Sequence, residues 1–501
     1  MLTGRTRRIG LGAAVVVTVA TAVAIPATRG HAAPKTPSLR MLTGARHVEV
    51  DRYGDEWDLY VPESVYLEAV NGAFEVDATR VNGKVQLEQV MRTGSTVKKL
   101  RTIKTPTPAT FDVGLPRFFR VTVTDDNGDV VTSSHADFCP FNDYDSQRVS
   151  PNSPDNPTYP STCGDQLTHA TVWGIDQGWA DPPFFQLSAS PESMPDGTYT
   201  MTVGVNPSYA KQFGVPAANR STTVKIDVVT YSGCTDFCAA ERRARARVHG
   251  PTRQVRIRQA QAPRGTYRPT SNASHGLPDL VALPAHGMST SHRSNSTGDK
   301  DFLNFGATIW NAGPGTFDVE GFRRNGKPKM DARQYIYDGK HSVRSIKIGT
   351  FEFDNRVGHH HWHLEDVAQY DLLDAQQNRV VLSGKQSFCL APTDPIDLTR
   401  PGALWSPESI GLGSACPSDQ SLWLRETLPV GWGDTYVQQK GGQAFNITDL
   451  PNGRYVIRVS TNPRGKIHEI TRKNNTALLA VDLGGTPGAR TVTRVGIVQP
   501  K

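Results

Sequence analysis

The sequence predicts an all-β protein built from two tandem sandwich-like domains. Three observations predict it. Short runs of Val, Ile, Thr, Tyr and Phe alternate with turn residues, and the chain carries 45 Gly and 35 Pro, the punctuation of many short strands. Helical periodicity is weak throughout. A set of short motifs recurs in the same order roughly 250 residues later, and self-similarity of that kind signals repeated units. The 501 residues, 37% of them hydrophobic, suffice for two domains with a core each.

The N-terminus reads as a targeting segment. Arg5, Arg7 and Arg8 precede an apolar stretch from Ile9 to Ile25, and Pro26 and a small-residue site near Ala32 and Ala33 follow. This pattern is that of a removable signal peptide over residues 1–33. The apolar stretch is short and rich in Ala, Gly and Thr, so stable membrane insertion after its removal is not expected. The chain is expected to be secreted.

The repeat is read from six echoes. Phe74-Glu-Val-Asp-Ala-Thr-Arg-Val-Asn-Gly-Lys84 matches Phe317-Asp-Val-Glu-Gly-Phe-Arg-Arg-Asn-Gly-Lys327. Val130-Val131 and Phe138-Cys139 match Val380-Val381 and Phe388-Cys389. Gly178-Trp179-Ala180-Asp181 matches Gly431-Trp432-Gly433-Asp434. Pro195-Asp-Gly-Thr-Tyr199 matches Pro451-Asn-Gly-Arg-Tyr455, and Val205-Asn206-Pro207 matches Thr461-Asn462-Pro463. The copies span residues 35–240 and 276–490. Each Pro-Asp/Asn-Gly turn introduces a strand, and the second such strand should bury Tyr455, Ile457 and Val459.

Residues 241–275 read as a basic linker. Nine arginines fall between Arg242 and Arg268, and the formal net charge of the chain is +7. An anionic polymer is one partner such a run suits. No aromatic platform interleaves with it, which argues against nucleic acid.

The six cysteines, Cys139, Cys163, Cys234, Cys238, Cys389 and Cys416, read as disulfides in an exported chain. Repeat symmetry pairs Cys139 with Cys163 and Cys389 with Cys416. Cys234 and Cys238 are left for each other; no second Cys or His pair stands close enough to make them a metal site.

The densest cluster of metal-ligand side chains is His359-His-His-Trp-His363. On a strand, alternate residues share a face, so His359, His361 and His363 would project together, with His360 and Trp362 opposite. Neighbouring same-face Cα atoms lie roughly 7 Å apart, an easy span for two imidazoles on one ion. Imidazole suits copper, zinc, nickel and iron. The bland alternative is a solvated polar run.

The second copy resembles the catalytic domain of the lysyl oxidase family, in a bacterial-type secreted form. The resemblance rests on Leu277-Pro-Asp-Leu280, the histidine cluster, Tyr370-Asp-Leu-Leu-Asp-Ala375, Lys385-Gln-Ser-Phe-Cys389, Asp434-Thr-Tyr436 and Val459-Ser-Thr-Asn-Pro463. It implies a copper-dependent protein-lysine 6-oxidase-like amine oxidase. It implies that His359, His361 and His363 bind copper, and that Lys385 and Tyr436 cross-link into lysine tyrosylquinone. The implied reaction converts peptidyl lysine or a small primary amine to an aldehyde, with dioxygen consumed and ammonia and hydrogen peroxide released. Read singly, Lys385 would be a solvated charge and Tyr436 a strand or turn aromatic. Asp434 and Asp371 both suit a proton acceptor or a ligand-orienting group, and nothing in the sequence separates them. Trp362 stands where animal members carry a tyrosine.

The first copy lacks this chemistry. In the Cys139/Cys389 register Lys385 maps to His135, and the three histidines map to Ala109, Phe111 and Val113. In the Asp181/Asp434 register Tyr436 maps to Pro183. The first copy is therefore expected to be a degenerate, non-catalytic domain that packs on, shields or presents substrate to the second. The rival from another class is a non-enzymatic extracellular module whose histidine strand binds metal while its sandwiches bind wall or matrix.

Overall fold

A computed structural model describes residues 36–231 and 276–500, apart from 54–56, 62–63, 95, 142–145, 155, 296–297, 324–328, 339–340, 355–360, 383–386, 408–420 and 438–443. The leader, the whole basic linker, His359, Lys385, Cys234, Cys238 and Cys416 lie outside the described residues. Among the described residues the secondary structure is strand, except for a helix over Pro207–Gln212 and a one-turn 3₁₀ helix over Ala217–Asn219. The all-β architecture is thus the observed one. No helix among the described residues is long and apolar enough to cross a membrane.

Pro37–Lys501 forms one compact unit with two large hydrophobic clusters. One draws on residues from Leu39 to Val228, the other on residues from Leu280 to Leu483. Each cluster is supplied by alternating side chains of largely antiparallel sheets.

One sheet of the C-terminal half begins at the edge strand Ser387–Phe388 and continues through His361–Glu365, His341–Asp354, Lys329–Asp338, Phe317–Arg323 and Trp423–Leu428. A second runs Arg379–Leu382, Ala368–Asp374, Gly453–Thr461, Thr476–Thr486 and Ala489–Ile497. A third contains Gly298–Asn311 paired with Trp432–Val437, which in turn pairs with Asp394–Pro395. Tyr455, Ile457 and Val459 are buried on one face of Gly453–Thr461, as the period-two pattern requires.

The N-terminal half contains a sheet with corresponding neighbours: Val130–Phe138, Leu115–Thr124, Gly197–Val205 and Ser221–Tyr231. Its fifth strand, His47–Tyr53, runs parallel to Ser221–Tyr231, whereas the fifth strand of the C-terminal sheet is antiparallel. The turns match in detail. Tyr199 Oη donates to the Pro195 carbonyl at 2.7 Å, and Tyr455 Oη donates to the Pro451 carbonyl at 2.9 Å. Gly197 and Gly453 follow these turns at φ +156° and +149°, a backbone that disfavours a Cβ.

Cys139 and Cys163 form a disulfide with Cα atoms 5.8 Å apart. Cys389 is also disulfide-bonded.

The two halves meet through backbone. His169 N donates to the Ile396 carbonyl at 2.6 Å, and Leu398 N donates to the Ala170 carbonyl at 2.8 Å. The Tyr159 ring stacks on Trp405 at 5.5 Å, and the Arg92 guanidinium lies 5.0 Å from the centre of one Trp405 ring. This junction follows directly on Asp394–Pro395, the neighbour of the Tyr436 strand.

Candidate active site

His361 and His363 project from one face of the strand His361–Glu365, with ring centroids 4.6 Å apart and planes at 80°. The opposite face carries Trp362 and Leu364, both in the core. Trp362 meets the Phe353 ring edge-on at 5.7 Å and lies 5.2 Å from the Arg323 guanidinium. Alternation therefore serves both needs at once: the indole anchors the strand and the imidazoles face away from it. His363 is buried, and its Nδ1 lies 3.3 Å from Asp354 Oδ2.

These groups fit a copper or zinc ion. Two imidazoles on one face are the donors such ions take. A carboxylate close to one ring nitrogen favours the arrangement that leaves the other nitrogen for metal.

Tyr436 lies on Trp432–Val437, across from Ala307. Its hydroxyl donates to the Cys389 carbonyl, and its ring lies 4.5 Å from that of Phe388. Phe388 is paired with Leu364 across the strands Ser387–Phe388 and His361–Glu365. Cross-strand partners share a face, so Phe388 belongs with Leu364 and Trp362. The structure thus brings Tyr436 to the core face of this strand pair, while His361 and His363 project from the other face. Lys385, two positions before Ser387, lies outside the described residues, as does His359.

Asp434 and Tyr436 share a face by alternation, and their side chains hydrogen-bond. Burial pushes the Asp434 carboxyl up to about 8, against its hydrogen bond with Tyr436 and one from the Ala391 amide, with the charge of Asp394 adding to the rise. Ala391 N donates to Asp434 Oδ2 at 3.3 Å, and Thr393 Oγ1 lies 3.4 Å from Asp434 Oδ1. Burial also holds Glu426 well above the carboxylate range, although Leu390 N donates to its Oε2 at 3.0 Å. Burial, then the charges of Asp434 and Glu426, raise the Tyr436 phenol.

The other sequence candidate, Asp371, is differently placed. It is fully buried, 2.6 Å from Arg379 Nε and 2.7 Å from an Arg458 guanidinium nitrogen. Its neighbour Tyr370 points the other way, with its ring 5.6 Å from that of Phe388. Asp371 is held in an ion-paired cluster, and Asp434 is the carboxyl beside Tyr436.

Sequence reasoning missed Asp394, Glu426 and Thr393. Asp394 is buried, accepts from Thr393 Oγ1 at 2.5 Å, and is pushed up to about 7 by burial, then by its hydrogen bond with Asp165. One available signal was position: Asp394 and Thr393 lie a few residues beyond Lys385-Gln-Ser-Phe-Cys389.

Comparison with known proteins matches residues 333–491 to the lysyl oxidase family model. Protein-lysine 6-oxidase of Homo sapiens is 27% identical over 225 residues, 42% of this chain and 48% of that protein. Protein-lysine 6-oxidase of Sus scrofa is 31% identical over 119 residues, 23% of this chain and 41% of that protein. Lysyl oxidase homolog 4 of Homo sapiens is 30% identical over 144 residues, covering 27% and 17%. The chain spans less than half the length of each of these relatives. The matched segment contains His361, His363, Tyr436 and Asp434, and over residues 333–491 this chain is similar to the lysyl oxidase family.

Proposed function

We propose that this protein is a secreted, copper-dependent amine oxidase that converts peptidyl lysine or another primary amine to an aldehyde. Copper would be held by His359, His361 and His363, and the quinone would derive from Lys385 and Tyr436. Residues 1–33 would be its leader, 276–490 its catalytic domain, and 35–240 a non-catalytic copy joined by the linker 241–275. The observation that carries this reading is the family segment 333–491, which contains all five of these site residues, with a buried carboxyl beside Tyr436.

Copper and the quinone, when present, supply the oxidation of a primary amine at the expense of dioxygen. The chain's own residues have three tasks. Asp434, once unprotonated, accepts a proton beside Tyr436, the task of a general base. Phe388 covers the Tyr436 ring and keeps water from it. Asp354, 3.3 Å from Nδ1 of His363, would help orient that ring.

The test uses the full-length protein loaded with copper. Peptide mass spectrometry should find a Lys385–Tyr436 cross-link, and a coupled peroxide assay should report turnover of a lysine peptide or a small amine. A copper-replete protein with neither the cross-link nor quinone redox staining overturns the reading and leaves a metal-binding module.

A further inference from the structure

We propose that the exposed loop Gln147–Pro151 of one copy of this chain docks on the free sheet edge at Trp423 of a second copy, so that copies associate end to end. The inference goes beyond the amine-oxidase reading and does not depend on it.

The junction between the halves supplies the template. Ala170–Ile175 is an edge strand of its sheet, and the loop after Asp394–Pro395 docks on it. The Ile396 carbonyl accepts from His169 N at 2.6 Å and from Ala170 N at 3.2 Å, and Leu398 N donates to the Ala170 carbonyl at 2.8 Å. Ile396 is wholly buried.

Both parts of this contact occur a second time, unjoined. The edge recurs as Trp423–Leu428, which ends its own sheet. Trp423 pairs with Phe322 as Ala170 pairs with Thr79. The Leu422 carbonyl accepts from Arg323 N at 2.9 Å, as the His169 carbonyl accepts from Arg80 N at 2.7 Å. Successive residues of an antiparallel strand aim their backbone groups to opposite sides. The amide and carbonyl of Trp423 therefore point to the free edge, as those of Ala170 point to Ile396 and Leu398. Side chains stand off the faces of a sheet, so the Trp423 indole leaves the path of an incoming backbone open.

The loop recurs as Gln147–Pro151. Gln147 pairs with Ala180 and Arg148 with Trp179, as Asp394 pairs with Gly433 and Pro395 with Trp432. Val149 N donates to the Gly178 carbonyl and Ile396 N to the Gly431 carbonyl, both at 2.9 Å. Asn152 N donates to Ser150 Oγ at 3.3 Å, and Thr399 N to Asp397 Oδ1 at 3.2 Å. Val149 thus stands where Ile396 stands, and Pro151 where Leu398 stands. Val149 is 61% less hidden company for no residue of its own chain: it is 43% exposed, and Trp423 is 45% exposed.

A contact between two different surfaces is heterologous and can repeat from chain to chain. The C-terminal half gives its loop to the edge of the N-terminal half, and the reverse contact is not made. Each chain keeps one loop and one edge unused. Repeating the internal junction between chains uses both, and free edges are the places where strands are added.

Two substitutions make the second contact weaker than the first. Pro151 has no N–H, so the bond that Leu398 donates has no counterpart. The carbonyls of Leu404 and Pro154 accept from Trp432 Nε1 at 2.5 Å and from Trp179 Nε1 at 3.0 Å, which matches these two positions. Trp405 follows the first, and Asp155 follows the second; a carboxylate cannot stack on a ring as Trp405 stacks on Tyr159. Association between chains therefore calls for high local concentration.

The experiment is sedimentation velocity on the full-length protein from micromolar to near-millimolar concentration, with melting temperatures to confirm that each variant is folded. Wild type should gain mass with concentration. Pro151→Ala restores the missing amide and should tighten association about fivefold. Val149→Asp places a charge in the contact and should abolish it. Trp423→Pro removes the outward amide without touching a ladder bond and should do the same. An equimolar mixture of V149D and W423P should form dimers and nothing larger, because only the loop of one and the edge of the other remain intact. P151A that stays monomeric at the highest concentration overturns the proposal, as does association that V149D leaves unchanged. If W423P does not fold, P151A and V149D still decide.

Discussion

Asp354 Oδ2 stands 3.3 Å from Nδ1 of His363, and both side chains project from the face of the sheet that carries His361. Asp354 pairs with His361 across the strands, and Glu352 with His363. Removing the carboxylate frees the buried ring to turn. Asp354→Ala should weaken copper binding by about 10–100-fold, read by competition with a chelator of known affinity. An unchanged affinity would show that His363 is oriented by something else.

The raised carboxyls make folding stability depend on pH in a defined direction. Asp394 and Asp434 hold their protons to about 7 and 8 in the folded chain, while an unfolded Asp releases its proton near 4. Between those limits the native state binds more protons, so stability falls as pH rises. The loss is complete above the folded values. The melting temperature should therefore drop between pH 5 and pH 8, and Asp434→Asn should flatten that drop. Burial pushes Glu320 up to about 7 as well, so the slope will shrink in the variant without vanishing.

A buried ion pair gives a second stability test. Arg425 Nε donates to Asp318 Oδ1 at 2.9 Å, and both side chains are almost wholly removed from solvent. Tyr337 donates to the same carboxylate. Arg425→Ala should cost about 3–5 kcal/mol by stranding the carboxylate, measured by denaturant unfolding. Replacing Arg425 and Asp318 together with apolar residues should cost less than the single change.

Trp362 links metal face and core. Its indole has no exposed surface and packs with Phe353 and Leu364. Trp362→Ala should destabilise the protein by about 3–5 kcal/mol, whereas Trp362→Phe should cost less. Calorimetry on the metal-free protein separates this packing loss from any loss of ligation.

Some of this was legible in the chain and some was not. Burial of Tyr455, Ile457 and Val459 follows from period-two alternation after a Pro-Asn-Gly turn, and the common face of His361 and His363 follows from the same rule. The opposite-face relation of Tyr436 and the histidines does not. It depends on Leu364 pairing with Phe388 and on Tyr436 approaching from a different sheet, and neither leaves a local signal. The partnership of Asp165 with Asp394 is equally silent, because its members lie on either side of the linker and meet only when the halves dock. Asp371 and Asp434 look alike as sequence; two arginines beside one and a phenol beside the other distinguish them.

The docking of Ala170 against residues 396–398 has a practical consequence for anyone cutting this protein apart. A fragment starting near Gly276 would present the unmatched amide of Leu398 and the carbonyl of Ile396 to water, next to a bare Trp405 ring. Such a raw edge invites association with other chains. Poor behaviour of an isolated C-terminal piece would therefore report a missing neighbour rather than a faulty fold.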